Sequence, residues 1–227
     1  MGTLYITGIP ESDALLNANG TALLIGMLLD QQVPMEWAFN GAFTLKNRLG
    51  HLDPKKIAAM DPDEFLAVCV DKPAIHRFPK AMAQRIHSMC GIIATEYKNK
   101  GENIWNDTND ATVVFERLRA LPGYGEEKAQ IFMALLGKRF GVRPEGWQKA
   151  AGVFSDSNPR TVADITNPET LIKVREWKKM EKAANRDKQS RPLPAKATAP
   201  KKAGIIKPPA QKPVAKKAAA KKTDKKK

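Results

Sequence analysis

The run RALPGYGEEKAQIFMALL, residues 119–136, decides the fold of this chain. Pro122 interrupts a first apolar, helix-like stretch, and a Gly-Tyr-Gly triplet follows before a second such stretch begins. Proline disfavours helix continuation because its ring clashes with the preceding turn, and glycine tolerates positive φ. The run therefore predicts two helices joined by a tight turn, a hairpin that spans residues 113–136.

The start of the second hairpin helix is a candidate phosphate-binding site. Gly123 and Gly125 leave no side chain over the backbone, so an anion can approach the outward-pointing amides of Tyr124, Gly125 and Glu126. The positive end of the helix dipole adds to this attraction. We expect these residues, with Lys128 just beyond them, to contact nucleic acid. A plain helix–helix turn also favours glycine and proline, so that alternative stays open.

Helix signals dominate the rest of the chain up to residue 185. Asp or Asn precedes proline, as an N-cap and first-turn pair, at residues 53–54, 61–62 and 167–168. Only TLYIT, residues 3–7, has the composition of a strand. The sequence predicts an all-α domain of about ten helices over residues 1–185, without an internal repeat.

Positive charge is concentrated at the end of the chain. Residues 186–227 hold 15 Lys and Arg against two Asp, whereas residues 1–185 hold 23 basic and 22 acidic residues. This Lys/Ala/Pro-rich segment contains no aromatic residue and predicts a disordered basic tail. A cationic arm favours a polyanionic partner, and double-stranded DNA is our first expectation. A solubilising tail, or one that touches lipid or RNA, is the alternative.

The cysteines and the apolar runs limit the classes to which this protein can belong. Cys69 and Cys90 provide neither a disulfide framework nor a metal-ligand set, and we expect both to fill helical core positions. The longest apolar run, residues 22–29, is too short to span a bilayer. We expect no membrane association, no metal and no cofactor, and a monomer in the cytoplasm, associated with the nucleoid.

LPGYGEEKA, residues 121–129, resembles the helix-hairpin-helix element of the HhH-GPD superfamily of base-excision DNA glycosylases. Three further stretches resemble this superfamily in the expected order: the Leu-rich helix and Gln-containing turn at 23–49, HRFPKAMAQRIHSMC at 76–90, and VRPEGWQKAAG at 142–152. The resemblance covers about residues 20–185. It implies two helical subdomains with a cleft between them, into which a target base is flipped out of the duplex.

The resemblance also implies a catalytic acid. Family members carry an Asp about twenty residues after the second glycine of the hairpin, and counting from Gly125 reaches Glu145. A carboxylate there can stabilise an oxocarbenium-like sugar or assist an attacking water. Asp156 is the fallback acid. An ordinary acidic residue in the first turn of a helix is the alternative for Glu145.

Other positions follow from the same resemblance. Gln31 and Gln32 lie where family members insert a residue into the gap left by the flipped base. The strand-cutting branch carries a lysine after the hairpin, but Glu127 occupies that position and Lys128 faces another side of the helix. The iron-sulfur branch needs four cysteines, which this chain lacks. The sequence thus predicts no lyase step and no cluster.

Three functions remain open from the sequence. The first is a monofunctional DNA glycosylase that hydrolyses the N-glycosidic bond of a damaged base, with Glu145 as the acid. The second is a catalytically inactive glycosylase-like module that recognises distorted DNA, because Glu replaces the family Asp. The third is a DNA-compacting protein in which the basic tail has the main role. The resemblance favours the first.

Overall fold

The structure is a computed structural model that describes residues 2–193. Residues 194–227, which hold most of the segment assigned to a disordered tail, lie outside the described residues. Residues 186–193 belong to the same segment but form a turn that packs on the helical domain. The Arg160 guanidinium donates to the Lys188 carbonyl and the Ser190 hydroxyl of this turn, at 3.2 and 2.8 Å. The compact unit therefore extends to residue 193 rather than 185.

Eleven α-helices and no strand occur among residues 2–193, which confirms the all-α prediction. The helices are α1 Pro10–Ala18, α2 Gly20–Leu29, α3 Met35–Leu49, α4 Pro54–Ala59, α5 Pro62–Val70, α6 Pro79–Glu96, α7 Asn103–Asn106, α8 Ala111–Arg119, α9 Glu126–Leu135, α10 Trp147–Ala151 and α11 Pro168–Ala183. A π-helical turn, Leu136–Phe140, extends α9. Cys69 and Cys90 are buried in α5 and α6, as expected for core residues.

Side-chain caps set several helix starts where the sequence indicates them. The Asp53 carboxylate accepts the Lys56 amide at 3.1 Å, and Asp61 caps α5 in the same way. Asp110 caps α8, and Asn167 caps α11. Each cap satisfies amide groups that have no partner inside the helix, so local chemistry alone determines these boundaries.

The prediction of a strand at residues 3–7 is wrong. The Thr3 amide donates to the Arg139 carbonyl at 3.0 Å, and the Leu4 amide donates to the Asn17 side chain at 2.8 Å. Leu4 and Ile6 are buried in the core. No second strand lies beside this segment within the described chain, so it forms its hydrogen bonds with α1 and the end of α9 instead.

The helices pack in two groups with a cleft between them. Helices α1–α6 pack mainly on one another, and α7–α11 do the same, while one continuous apolar core joins the groups. The turn between α2 and α3, residues 30–34, faces α11 across the cleft. Among the described helices none could cross a bilayer alone; α1 and α2 meet the length and composition criterion only together, across a bend of 114°.

Candidate nucleic-acid interface and pocket

The hairpin turn connects α8 to α9 over residues 120–125. Gly123 has φ +81°, a left-handed conformation that strains other residues. A Cβ atom there would lie 2.6 Å from Leu28 Cδ1, so the turn packs directly on the end of α2. Gly125 differs, since its backbone is extended at φ −91° and a Cβ atom would meet no atom within 4 Å. Gly125 leaves the outer face of the turn open.

The amides at the start of α9 directly follow this open position. The Tyr124 amide donates to the Leu121 carbonyl, which completes the turn. The amides of Glu126, Glu127 and Lys128 belong to the first helical turn, where no carbonyl four residues earlier can accept them. Among the described residues they have no hydrogen-bond partner. They form an anion-binding geometry, although the first two of these side chains are acidic.

Tyr124 contacts the protein core rather than the surface. Its side chain is 5 % exposed, and its hydroxyl donates to the Leu24 carbonyl of α2 at 2.8 Å. Burial raises the pKa of this phenol well above its usual value. The ring therefore fixes the hairpin against α2, and only the backbone of Tyr124 remains near the outer face.

Lys128 holds the hairpin against the end of α2. Its ammonium donates to the carbonyls of Met27, Leu28 and Asp30, at 2.5, 3.1 and 3.4 Å. These carbonyls close the C-terminal end of α2, where a cation is favourable. Burial lowers the pKa of Lys128 to about 8, while the Asp30 carboxylate acts in the opposite direction. The Lys128 ammonium is thus bound to carbonyls of the protein itself. Its contact with DNA stays a prediction, and this geometry does not support it.

The two glutamines of the α2–α3 turn have different surroundings. The side-chain amide of Gln31 donates from Nε2 to the Leu28 carbonyl at 2.7 Å, and its Oε1 accepts from the Arg85 guanidinium at 3.1 Å. Gln32 is exposed at the tip of the turn with φ +58°. The Gln31 carbonyl accepts from buried His76 at 2.9 Å, which fixes the turn. Gln32 is therefore the glutamine whose side chain is accessible to a duplex.

A pocket of about 390 Å³ opens beside Gln32, between the α2–α3 turn and α11. We call it the α3/α11 pocket, and its lining residues are Asp30, Gln31, Gln32, Val33, Pro34, Met35, Glu36, Arg175, Lys178 and Lys188. A volume of this size is within the range of small-ligand sites. The pocket lies at the cleft between the helix groups, where the resemblance places an extruded nucleotide.

Charged groups of both signs line the α3/α11 pocket. Glu36 forms an ion pair with Arg175, and Lys188 pairs with Glu127 of α9 at 3.3 Å. The Asp30 carboxylate accepts no hydrogen bond from the described residues. The Lys178 ammonium contacts the Met35 sulfur at 3.0 Å, and burial lowers the pKa of this lysine. The pocket thus combines a carboxylate with cationic groups that suit the phosphates of a nucleotide.

Glu145 lies away from this pocket. Its amide donates to the Asn109 carbonyl at 2.7 Å, and its carbonyl accepts from the Ala111 amide at 3.1 Å. These contacts place it at the start of α8, about 13 Å along that helix from the hairpin. Its side chain is exposed to solvent. The catalytic role of Glu145 stays a prediction, and the structure does not bring its carboxylate to the cleft.

Asp156, the fallback acid, is held by structural contacts. Its carboxylate pairs with Arg160 at 2.9 Å and accepts the Asn158 amide. Burial alone raises the pKa of Asp156, but the hydrogen bonds from Arg160 and Asn158 outweigh it and keep the pKa below its usual value. An acid that is already paired is poorly placed to receive a proton during catalysis. Its catalytic role also stays a prediction.

The hairpin, the exposed glutamine and the neighbouring pocket together define a helix-hairpin-helix DNA-binding protein with a nucleotide-sized cleft. The chain belongs to the HhH-GPD superfamily of base excision DNA repair proteins, whose family model matches residues 25–141. No curated protein and no solved structure matches the chain. Family membership identifies the chain as a DNA-binding protein of base-excision repair, and members of this superfamily are typically DNA glycosylases.

The matched range ends before Glu145 and excludes α11. The sequence analysis did not identify the α11 side of the pocket. Lys178 lies in a helix rich in exposed lysines, and no spacing distinguishes it from its neighbours. Asp30 had a usable signal, because it directly precedes the Gln-Gln pair. Within residues 2–193, no cluster of three or more His, Cys, Asp or Glu side chains could hold a metal ion.

Proposed function

We propose that this protein is a DNA glycosylase that binds double-stranded DNA and receives an extruded, damaged nucleotide in the α3/α11 pocket. The observation that carries the proposal is the position of Gln32, exposed at the mouth of that pocket. A side chain at this position can enter the duplex where a nucleotide has left the stack. The phosphates of the same strand meet the free amides at the start of α9.

The contacts of Lys128 support this arrangement. They join the hairpin helix to the end of α2, directly before the turn that carries Gln32. Phosphate binding and insertion are therefore performed by one rigid element. Such preorganisation lowers the entropic cost of holding a flipped nucleotide.

In this proposal water cleaves the N-glycosidic bond, and Asp30 is the carboxylate that assists. Water attacks C1′ of the sugar, its proton passes to the Asp30 carboxylate, and the base leaves with the bonding electrons and takes up a proton. The same carboxylate stabilises positive charge on the sugar as the bond breaks. The protein acts as a monomer, and the substrate is a damaged base.

The test is a panel of duplexes that each contain one lesion, incubated with excess protein and then cleaved at abasic sites by alkali. We expect a product on at least one lesion. Asp30→Asn should lower its rate of formation about a hundredfold or more, because it removes the proton acceptor. Glu145→Gln is the matched control and should leave the rate within about twofold, since that side chain is far from the pocket.

A second candidate is a module of the same fold that recognises distorted DNA without cutting it. The outward position of Glu145 favours it, because the acid at the family spacing does not reach the cleft. Tight binding to lesion duplexes with no product on any of them would establish this candidate. The DNA-compacting alternative instead requires the same affinity for damaged and undamaged duplexes.

The basic tail is expected to supply affinity that is independent of sequence. Residues 194–227 contain 12 Lys and one Asp. A protein ending at residue 193 should bind undamaged duplex more weakly at low salt. The slope of log affinity against log salt concentration should fall by roughly 3 or more, since each phosphate contact contributes roughly 0.9. Fluorescence anisotropy at several salt concentrations measures both quantities, and an unchanged slope would contradict a role of the tail in DNA binding.

A further inference from the structure

We propose that the Lys178 side-chain amine is a nucleophile that forms an imine with the C1′ aldehyde of an abasic deoxyribose held in the α3/α11 pocket. This inference rests on the nucleotide pocket proposed above. It adds a covalent step after base removal, at a residue outside the hairpin and outside the range matched by the family model.

The contacts of Lys178 distinguish it from the other lysines near the cleft. Lys128 donates to three carbonyls, and Lys188 pairs with the Glu127 carboxylate at 3.3 Å. Within the described chain the Lys178 ammonium has no oxygen partner, and its one hydrogen-bond partner is the thioether sulfur of Met35. A thioether is a weak acceptor, so this amine is held in place without strong stabilisation of its charged form.

The surroundings of Lys178 favour a reactive amine. Burial lowers its pKa, and Lys188 acts in the same direction, whereas the carboxylates of Asp30, Glu36 and Asp164 oppose the change. A lower pKa increases the neutral fraction near pH 7, and only the neutral amine carries the lone pair that attacks a carbonyl.

The step is balanced without any further reactant. The amine lone pair forms a bond to C1′, and the first proton of the amine passes through Asp30 to the aldehyde oxygen to give a carbinolamine. The second proton of the amine then passes through Asp30 to the departing hydroxyl. One water leaves as the C1′–N double bond forms, and addition of water reverses the sequence and frees the lysine.

This chemistry suits the product of a glycosylase. Hydrolysis of the N-glycosidic bond leaves a sugar whose ring-opened form carries an aldehyde at C1′. An amine in the same pocket captures that aldehyde before the strand dissociates. The hairpin position occupied by Glu127 provides no amine, and α11 provides one from the opposite wall of the cleft.

The test uses the full chain and a duplex with one preformed abasic site, treated with sodium borohydride to reduce any imine. The covalent complex is digested and the modified lysine is located by mass spectrometry. We expect the adduct at Lys178. Lys178→Arg, which keeps the charge but cannot attack at neutral pH, should lower trapped complex at least tenfold. The matched control is Lys182→Arg, an exposed lysine one turn later on α11, which should trap at the wild-type level.

Adducts found only on tail lysines, or trapping by Lys178→Arg at the wild-type level, would overturn the inference. Mapping the wild-type adduct decides the point even where a variant fails to fold. Because the abasic site is preformed, trapping does not depend on base removal. A lesion product without a Lys178 adduct rejects this inference alone, whereas a Lys178 adduct without any lesion product rejects the proposed glycosylase alone.

Discussion

Gly123→Ala is expected to lower the free energy of unfolding by about 3 kcal/mol. Two effects add at this position. The backbone at φ +81° is strained for any L-residue with a side chain, and the new methyl group would lie 2.6 Å from Leu28 Cδ1 in the buried end of α2. Urea denaturation of the two proteins measures the difference. DNA affinity should also fall, because the hairpin can no longer sit closely on α2.

The matched control is Gly125→Ala, two residues later in the same turn. Its backbone angles suit alanine, and its Cβ atom meets open space, so the free energy of unfolding should change by about 0.5 kcal/mol or less. The methyl group would nevertheless occupy the open outer face of the turn, through which an anion approaches the free amides of α9. We expect duplex affinity to fall about tenfold, or roughly 1.4 kcal/mol. Unchanged affinity in this stable variant would show that the hairpin amides do not contact DNA.

Lys128→Met is the second substitution with a large expected effect. It leaves the carbonyls at the end of α2 without their buried donor, which costs about 1–3 kcal/mol of stability at neutral pH. The turn that carries Gln32 would also lose its connection to the hairpin. Lesion binding should therefore weaken even at temperatures where the variant is folded. Lys149→Met, at an exposed position on α10, is the control and should change neither property.

The pH dependence of this effect has a definite sign. Burial lowers the pKa of Lys128 to about 8 from the usual 10.5, so the unfolded chain binds more protons between these values. The contribution of Lys128 to stability therefore rises with pH in this window and is smallest below pH 8. The difference in unfolding free energy between wild type and Lys128→Met should grow by about 2 kcal/mol from pH 7 to 9.5. A difference that shrinks with pH would contradict the buried state of this lysine.

Much of the fold could be predicted from the sequence because its signals are local. The caps at Asp53, Asp61 and Asn167 and the hairpin around Pro122 act within a few residues of the chain. The prediction failed at residues 3–7, where strand formation depends on a partner strand that the described chain does not contain. It also ended the domain too early, because the turn at 186–193 is held by long-range contacts with Arg160.

The candidate site was less accessible to sequence reasoning. The Gln-Gln pair and the hairpin were found, but spacing could not distinguish partly buried Gln31 from exposed Gln32. Counting twenty residues from Gly125 reached Glu145, yet the π-helical turn and the contacts with Asn109 carry it to the far end of α8. Position along the chain does not determine position in space once an intervening element changes direction.

By itself the sequence determined the all-α class, the hairpin, its superfamily and the concentration of charge at the end of the chain. These features depend on helix periodicity, capping and composition, which are properties of neighbouring residues. Only the tertiary structure decided that Lys128 caps α2 and that Asp30 and Lys178 share one pocket. Those residues are distant in the chain, and the packing of α9 and α11 against the α2–α3 turn brings them together.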